Sequence, residues 1–194
     1  MQAHLLKAKL QGCFTGFPEK RCSSQYVSLL FRHIQLAFMK NRYVWSKLNR
    51  QQIGAFCEYF VKMELTMHGL QVYGTEVDDR GVDFVARYER GPFLEIQVKS
   101  LRSLGYVFMQ KDKFPISEST WLALGLLFEG TAPQLFLVPS IAWRSPNALF
   151  ADRNYEKEGL KSPPEWGLNI SNKNMSLLEP FRFDYMLEKL QVSN

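Results

Sequence analysis

The chain has 194 residues, 46% of them apolar and 22% charged, which allows one domain with a buried core and excludes a disordered polar chain. Its formal charge of +5 is unevenly spread: Lys7, Lys9, Lys20, Arg21 and Arg32 against Glu19 put +4 in positions 1–38, leaving +1 for positions 39–194. A nucleic-acid partner must therefore be argued from a local basic patch and not from the isoelectric point.

Residues 1–38 are expected to form a basic N-terminal extension, either loosely ordered or upstream of a true start at Met39, with a DNA- or partner-binding arm as the functional alternative. The opening MQAHLLKAKLQGCFTGF mixes apolar with charged residues and does not present the continuous apolar stretch of a secretory signal. Positions 26–39, YVSLLFRHIQLAFM, are cut by Arg32 and His33 and are too short to span a bilayer, so an amphipathic helix and no membrane partner are expected. Cys13, Cys22 and Cys57 make no C-x-x-C pair, which points to free thiols in a reducing, cytoplasmic setting. His4, His33 and His68 lack acidic or cysteine neighbours at ligand spacing and are read as ordinary histidines.

A helix is predicted over 51–68 (QQIGAFCEYFVKMELTMH), with Asn49 as N-cap, Gln52 completing a capping box, and Gly69 at the C-terminal end. Ile53, Phe56, Phe60, Met63 and Met67 recur at helical spacing as its apolar face, and Gly54 and Ala55 suggest a close approach to a sheet. The period then changes to two. Positions 70–77, 82–89 and 93–100 read as three successive antiparallel strands, the last two joined by Arg90-Gly91-Pro92. A short strand is expected over 106–110, and the continuous apolar runs 121–128 and 134–138 read as interior strands. Positions 154–164 read as surface loop, 177–190 as a closing helix perturbed by Pro180, and Trp143 and Trp166 as structural.

Alternation along FLEIQVKS sets Leu94, Ile96 and Val98 on one face and Glu95, Gln97 and Lys99 on the other. Asp83 stands opposite Val82 and Phe84 on the preceding strand. An acid, an amide and an ammonium group thus converge across neighbouring strands if the polar faces coincide. Arg102, Lys111 and Lys113 follow as a modest basic stretch suited to phosphate contacts, or to a solvated surface. Tyr106, Phe108 and Phe114 interleave with it and are suited to base stacking or to core packing. Glu95 is a weaker acidic candidate at the sheet margin, and Asp78 and Asp79 read as turn formers.

This order, Glu58 in GAFCEYF on a helix, Asp83 in GVDFVAR on a strand, and Gln97-Val98-Lys99 in LEIQVKS on the next, resembles the PD-(D/E)XK endonuclease superfamily over roughly residues 48–140. The nearest flavour is the group that includes Holliday-junction resolvases, some tRNA-intron homing endonucleases and many uncharacterised bacterial proteins. The resemblance implies an α/β domain over 39–194 with a restriction-endonuclease-like αβββαβ core, its mixed central sheet flanked by helices. It implies a metal-dependent endonuclease hydrolysing DNA phosphodiester bonds through Glu58, Asp83, Gln97 and Lys99. Mg²⁺, with Mn²⁺ able to substitute, would be held by Asp83, Gln97 and Glu58, and a homodimer would supply the two sites needed to cut both strands. Two departures stand out: Val82 replaces the proline, and Gln97 puts a neutral amide at the acidic position. The second leaves open a catalytically inactive nuclease-fold domain that only binds nucleic acid or another partner.

Overall fold

The structure is a computed structural model, and it describes residues 42–74, 81–155 and 162–192. The expected extension 1–38, the far end of the first strand at 75–77, Asp78 and Asp79, and most of the loop after Tyr155 lie outside the described residues.

Helix α1, Arg50–Met67, begins where Asn49 accepts from the backbone N–H of Gln52 at 2.9 Å while Gln52 Oε1 accepts from the N–H of Asn49 at 2.9 Å. That reciprocal box satisfies two of the N–H groups a helix start leaves orphaned. The helix ends at His68, and Gly69 follows with φ +82°, a left-handed conformation suited to glycine. Its buried row is Ile53, Cys57, Val61 and Leu65, one residue every turn. The apolar face expected from Met63 and Met67 is corrected here: both are exposed, with Phe56 and Phe60 only partly covered. Gly54 and Ala55 also face solvent. The close approach to the sheet is made instead by Cys57 over Gly125, where a Cβ would overlap Cys57 Sγ.

Strands β1 (Leu70–Gly74), β2 (Phe84–Tyr88) and β3 (Leu94–Leu101) form an antiparallel meander, as the two-residue period predicts. β4 (Gly105–Gln110) then leaves this sheet, and β5 (Thr120–Leu126) returns to pair parallel with β3 before β6 (Gln134–Pro139) pairs antiparallel with β5. The central sheet therefore has the mixed order β1-β2-β3-β5-β6. The crossover from β3 to β5 is made by β4 and a loop, in the position where an αβββαβ order carries its second helix. β4 pairs with β8 (Glu165–Ile170), which also pairs with β7 (Phe150–Arg153), in a second three-stranded sheet.

Two apolar layers result. Leu94, Ile96, Trp121, Ala123, Leu135 and Leu137 face α1 and the closing helix α3 (Phe183–Val192), which contributes Phe183, Met186 and Leu187. Leu122, Leu124, Leu126, Phe136 and Val138 face the second sheet, packing on Val107, Met109, Phe150 and Leu168 around Trp143. β5 is buried at every residue, which is why it reads as an unbroken apolar run and not an alternation. The expected closing helix is broken in two: α2 (Met175–Leu178) runs into a 3-10 turn, Glu179–Phe181, holding Pro180, before α3 begins. No described helix is long and apolar enough to cross a membrane.

Candidate active site

Gln97 is the point from which the site can be built. It lies mid-β3, between Ile96 and Val98, whose side chains pack toward α1, so its own side chain turns to the other face. There it is 8% exposed, and its amide oxygen is buried without a hydrogen-bond partner. Such an acceptor withdrawn from water costs about 1–3 kcal/mol, so a missing partner of positive character is the physical expectation.

Asp83 precedes β2 and extends its pairing by one residue: its N–H donates to Ile96 O at 2.9 Å, one step beyond the Phe84↔Ile96 pair. Continued, that register sets Asp83 beside Gln97. The Asp83 carboxylate accepts from the backbone N–H of Val98 at 2.5 Å, which fixes one oxygen against β3. Gly81, two residues earlier, has φ +77°, and a Cβ there would come within 3.0 Å of Gln97 Nε2 and 3.1 Å of Lys113 Cβ. Only glycine lets the chain turn into β2 this close to the amide. The sequence signal for it is Gly81 itself, three residues after Asp78 and one after Arg80.

Two clefts flank Gln97. One, of about 360 Å³, is lined by Gly81, Glu95, Gln97, Asp112, Lys113 and Thr120. The other, of about 250 Å³, is lined by Gly81, Gln97, Lys99, Phe108, Gln110 and Lys113. Gln97, Gly81 and Lys113 belong to both, and Lys99 enters the second two residues beyond the amide. Glu95 shares this face and reaches the first cleft, while its N–H is taken by Ser119 O at 2.7 Å.

Glu58 stands apart from that cleft face. It lies on α1, which packs on the opposite side of β3, and its carboxylate accepts from Lys62 Nζ at 2.6 Å in an i,i+4 pair. It is nonetheless electrostatically near the sheet end. The neighbouring Cys57 thiol, buried under α1, is pushed up to about 12, first by burial and then by the negative charges of Asp83 and Glu58.

The basic stretch divides. Lys113 is exposed at the mouth of both clefts. Arg102 donates to Leu48 O at 3.2 Å at the surface. Lys111 is engaged internally, bonded to Asp152 and Asn154 with its ammonium 4.0 Å from the centre of the Trp166 ring. Of the three aromatics, Phe114 is fully buried against Trp143 and has no face to offer a base. Tyr106 donates to Glu165 Oε1 at 2.8 Å, with the Arg153 guanidinium 4.3 Å over its ring. Burial first and then that bond hold its phenol protonated well above the usual range. Phe108 remains 52% exposed and lines the second cleft.

Among the described residues no three histidine, cysteine, aspartate or glutamate side chains gather as metal ligands. The donor set that does fit a hard cation is smaller and differently composed: the Asp83 carboxylate and the orphaned amide oxygen of Gln97. Mg²⁺ accepts such a sparse set, because it keeps several waters and takes further oxygens from a phosphate substrate.

No family model and no curated protein matches this chain. Among solved structures it is similar to the Holliday junction resolvase Hjc of the archaeal hyperthermophile Archaeoglobus fulgidus, at 14% identity and a TM-score of 0.47, over 70% of this chain and 95% of that one. It is also similar to the bacterial homing endonuclease I-Ssp6803I, at 15% identity and a TM-score of 0.44, over 73% of this chain and 93% of that one.

Proposed function

We propose that this chain is a metal-dependent endonuclease that hydrolyses DNA phosphodiester bonds at the β2–β3 sheet end. The observation that carries the proposal is the buried, unpartnered amide oxygen of Gln97 beside Asp83, with Lys99 in the adjoining cleft. Asp83 and Gln97 would hold Mg²⁺ or Mn²⁺, with Glu58 contributing at most through water while its ion pair with Lys62 persists. The ion, when bound, would offset phosphodiester charge and lower the pKa of a bound water. The remaining work falls to the chain itself. The Val98 N–H holds the Asp83 carboxylate in one orientation, so a phosphate meets a fixed charge. The Lys99 ammonium would stabilise negative charge growing on the phosphoryl oxygens. Lys113 at the cleft mouth would draw the backbone in. Two copies would be needed to cut both strands of a duplex.

The neutral side chain at position 97 favours a second reading, an inactive nuclease-fold domain that binds DNA without cutting it. Incubating plasmid with the full chain and Mg²⁺ or Mn²⁺ separates the two. Nicked or linear product, absent in Asp83→Ala, supports the endonuclease; DNA retention with no product under either metal supports the binding domain.

A further inference from the structure

The sheet face that carries Gln97 and Lys99 continues toward β1, and there the second sheet does not cover it. Gln71 and Tyr73 on β1, Val85 and Arg87 on β2, and Phe93 and Glu95 leading into Gln97 alternate with the residues that pack under α1, so they share that face. The second sheet packs on the β5–β6 half, through Leu122, Leu124, Leu126, Phe136 and Val138. Over β1 and β2 the rings of Tyr73 and Phe93 stay 43% and 50% exposed. They meet edge to face, with centroids 5.9 Å apart. Arg87 fixes the arrangement: its guanidinium sits 4.7 Å from the Phe93 centroid and donates to Gln71 Oε1 at 3.0 Å and Tyr73 Oη at 3.5 Å.

We propose that Tyr73, Phe93 and Arg87 form a platform for the unpaired bases of a DNA strand whose backbone enters the cleft at Gln97 and Lys99, an inference that rests on the nuclease reading of that cleft. Phe93 stands four residues from Gln97 on one strand, about 13 Å at the usual rise, so a strand of a few nucleotides spans the two. Exposed rings pre-arranged by an arginine suit base faces, since every base offers a π surface and a guanidinium adds cation–π attraction. Glu95, between Phe93 and Gln97 on the same face, repels phosphate, so bases and not backbone lie against this part of the sheet. A platform of this kind discriminates unpaired from paired DNA and is indifferent to sequence. Duplex bases are already stacked on each other and present no free face.

The test is fluorescence anisotropy in EDTA, where nothing is cut, with a labelled oligo-dT, an abasic oligomer of equal length and a duplex. Phe93→Ala and Tyr73→Ala are each expected to weaken oligo-dT binding about 5- to 100-fold. Abasic and duplex binding and the salt dependence should stay unchanged. Phe93→Trp, which preserves a stacking face, should bind at least as tightly as the parent. The proposal is overturned if the parent protein has no oligo-dT affinity, if it binds the abasic oligomer equally well, or if both alanine variants bind oligo-dT normally. It is also overturned if those variants only dissociate a dimer in sedimentation, because the patch is then an interface between copies. Failure of the cleft reading looks different: platform variants lose oligo-dT while the parent cleaves no plasmid under any metal.

Discussion

Burying the Gln97 oxygen without a donor withdraws an acceptor from water, and the residues around it explain what could offset that cost: Asp83 fixes one carboxylate oxygen on Val98 N–H beside it. Changing the amide to a carboxylate tests this directly. Gln97→Glu places a second anion in a nearly dry position next to Asp83, so without metal it should melt at a lower temperature than the parent protein. Mn²⁺ should then raise its melting temperature by more than it raises the parent's, since a ligand that binds only the folded state stabilises it. Thermal melts in EDTA and in Mn²⁺ read both outcomes, and equal responses would remove Gln97 from the ion site. At this scale the sequence was legible wherever alternation decides direction: Glu95, Gln97 and Lys99 do share a face. What alternation could not reveal is a partner from a distant segment, such as Trp166 with Asp152 and Asn154 holding Lys111, or a competing local one, such as Lys62 taking the Glu58 carboxylate.

Between elements, one close contact is α1 against β5, where Cys57 lies over Gly125. Gly125→Ala should destabilise the protein by about 1–3 kcal/mol in denaturant titration, because the added methyl overlaps a sulfur that the packed helix cannot move. In the Cys57→Ala background the same change should cost much less, a coupling that a double-mutant cycle measures. The Cys57 thiol also gives a pH signature. Its pKa of about 12 in the fold exceeds its ordinary value of 9.0, so between these limits the unfolded chain has lost the proton that the folded one keeps. The folded state is therefore favoured fully below pH 9, and that contribution is lost as pH rises toward 12. Chemical denaturation across this window should show stability falling with pH, and falling less steeply in Cys57→Ala. The α1 cap and the β1–β3 meander were readable in advance because their signals are local: a capping box, a period of two, short turns. The second sheet was not, since β4 pairs with β8 sixty residues away, and β7 and β8 are short strands of mixed composition without a periodic signature.

For the whole molecule, a net charge of +5 with only +1 beyond the first 38 residues makes general attraction to DNA a weak account of binding. The cations lining the clefts, Lys99 and Lys113, would neutralise about two phosphates, so the logarithm of duplex affinity should fall against the logarithm of salt with a slope near −2. A much steeper slope would move the main DNA contact elsewhere on the chain. The central claim, that the β2–β3 sheet end is a hydrolytic site, turns on Lys99, which lines the cleft while its backbone stays in the ladder with β5. Lys99→Met keeps the length of the side chain and removes the charge. Plasmid cleavage in Mg²⁺ or Mn²⁺ by the parent protein, lost in a Lys99→Met variant that melts at the parent's temperature, is the predicted result. Cleavage by Lys99→Met at the parent's rate would contradict it.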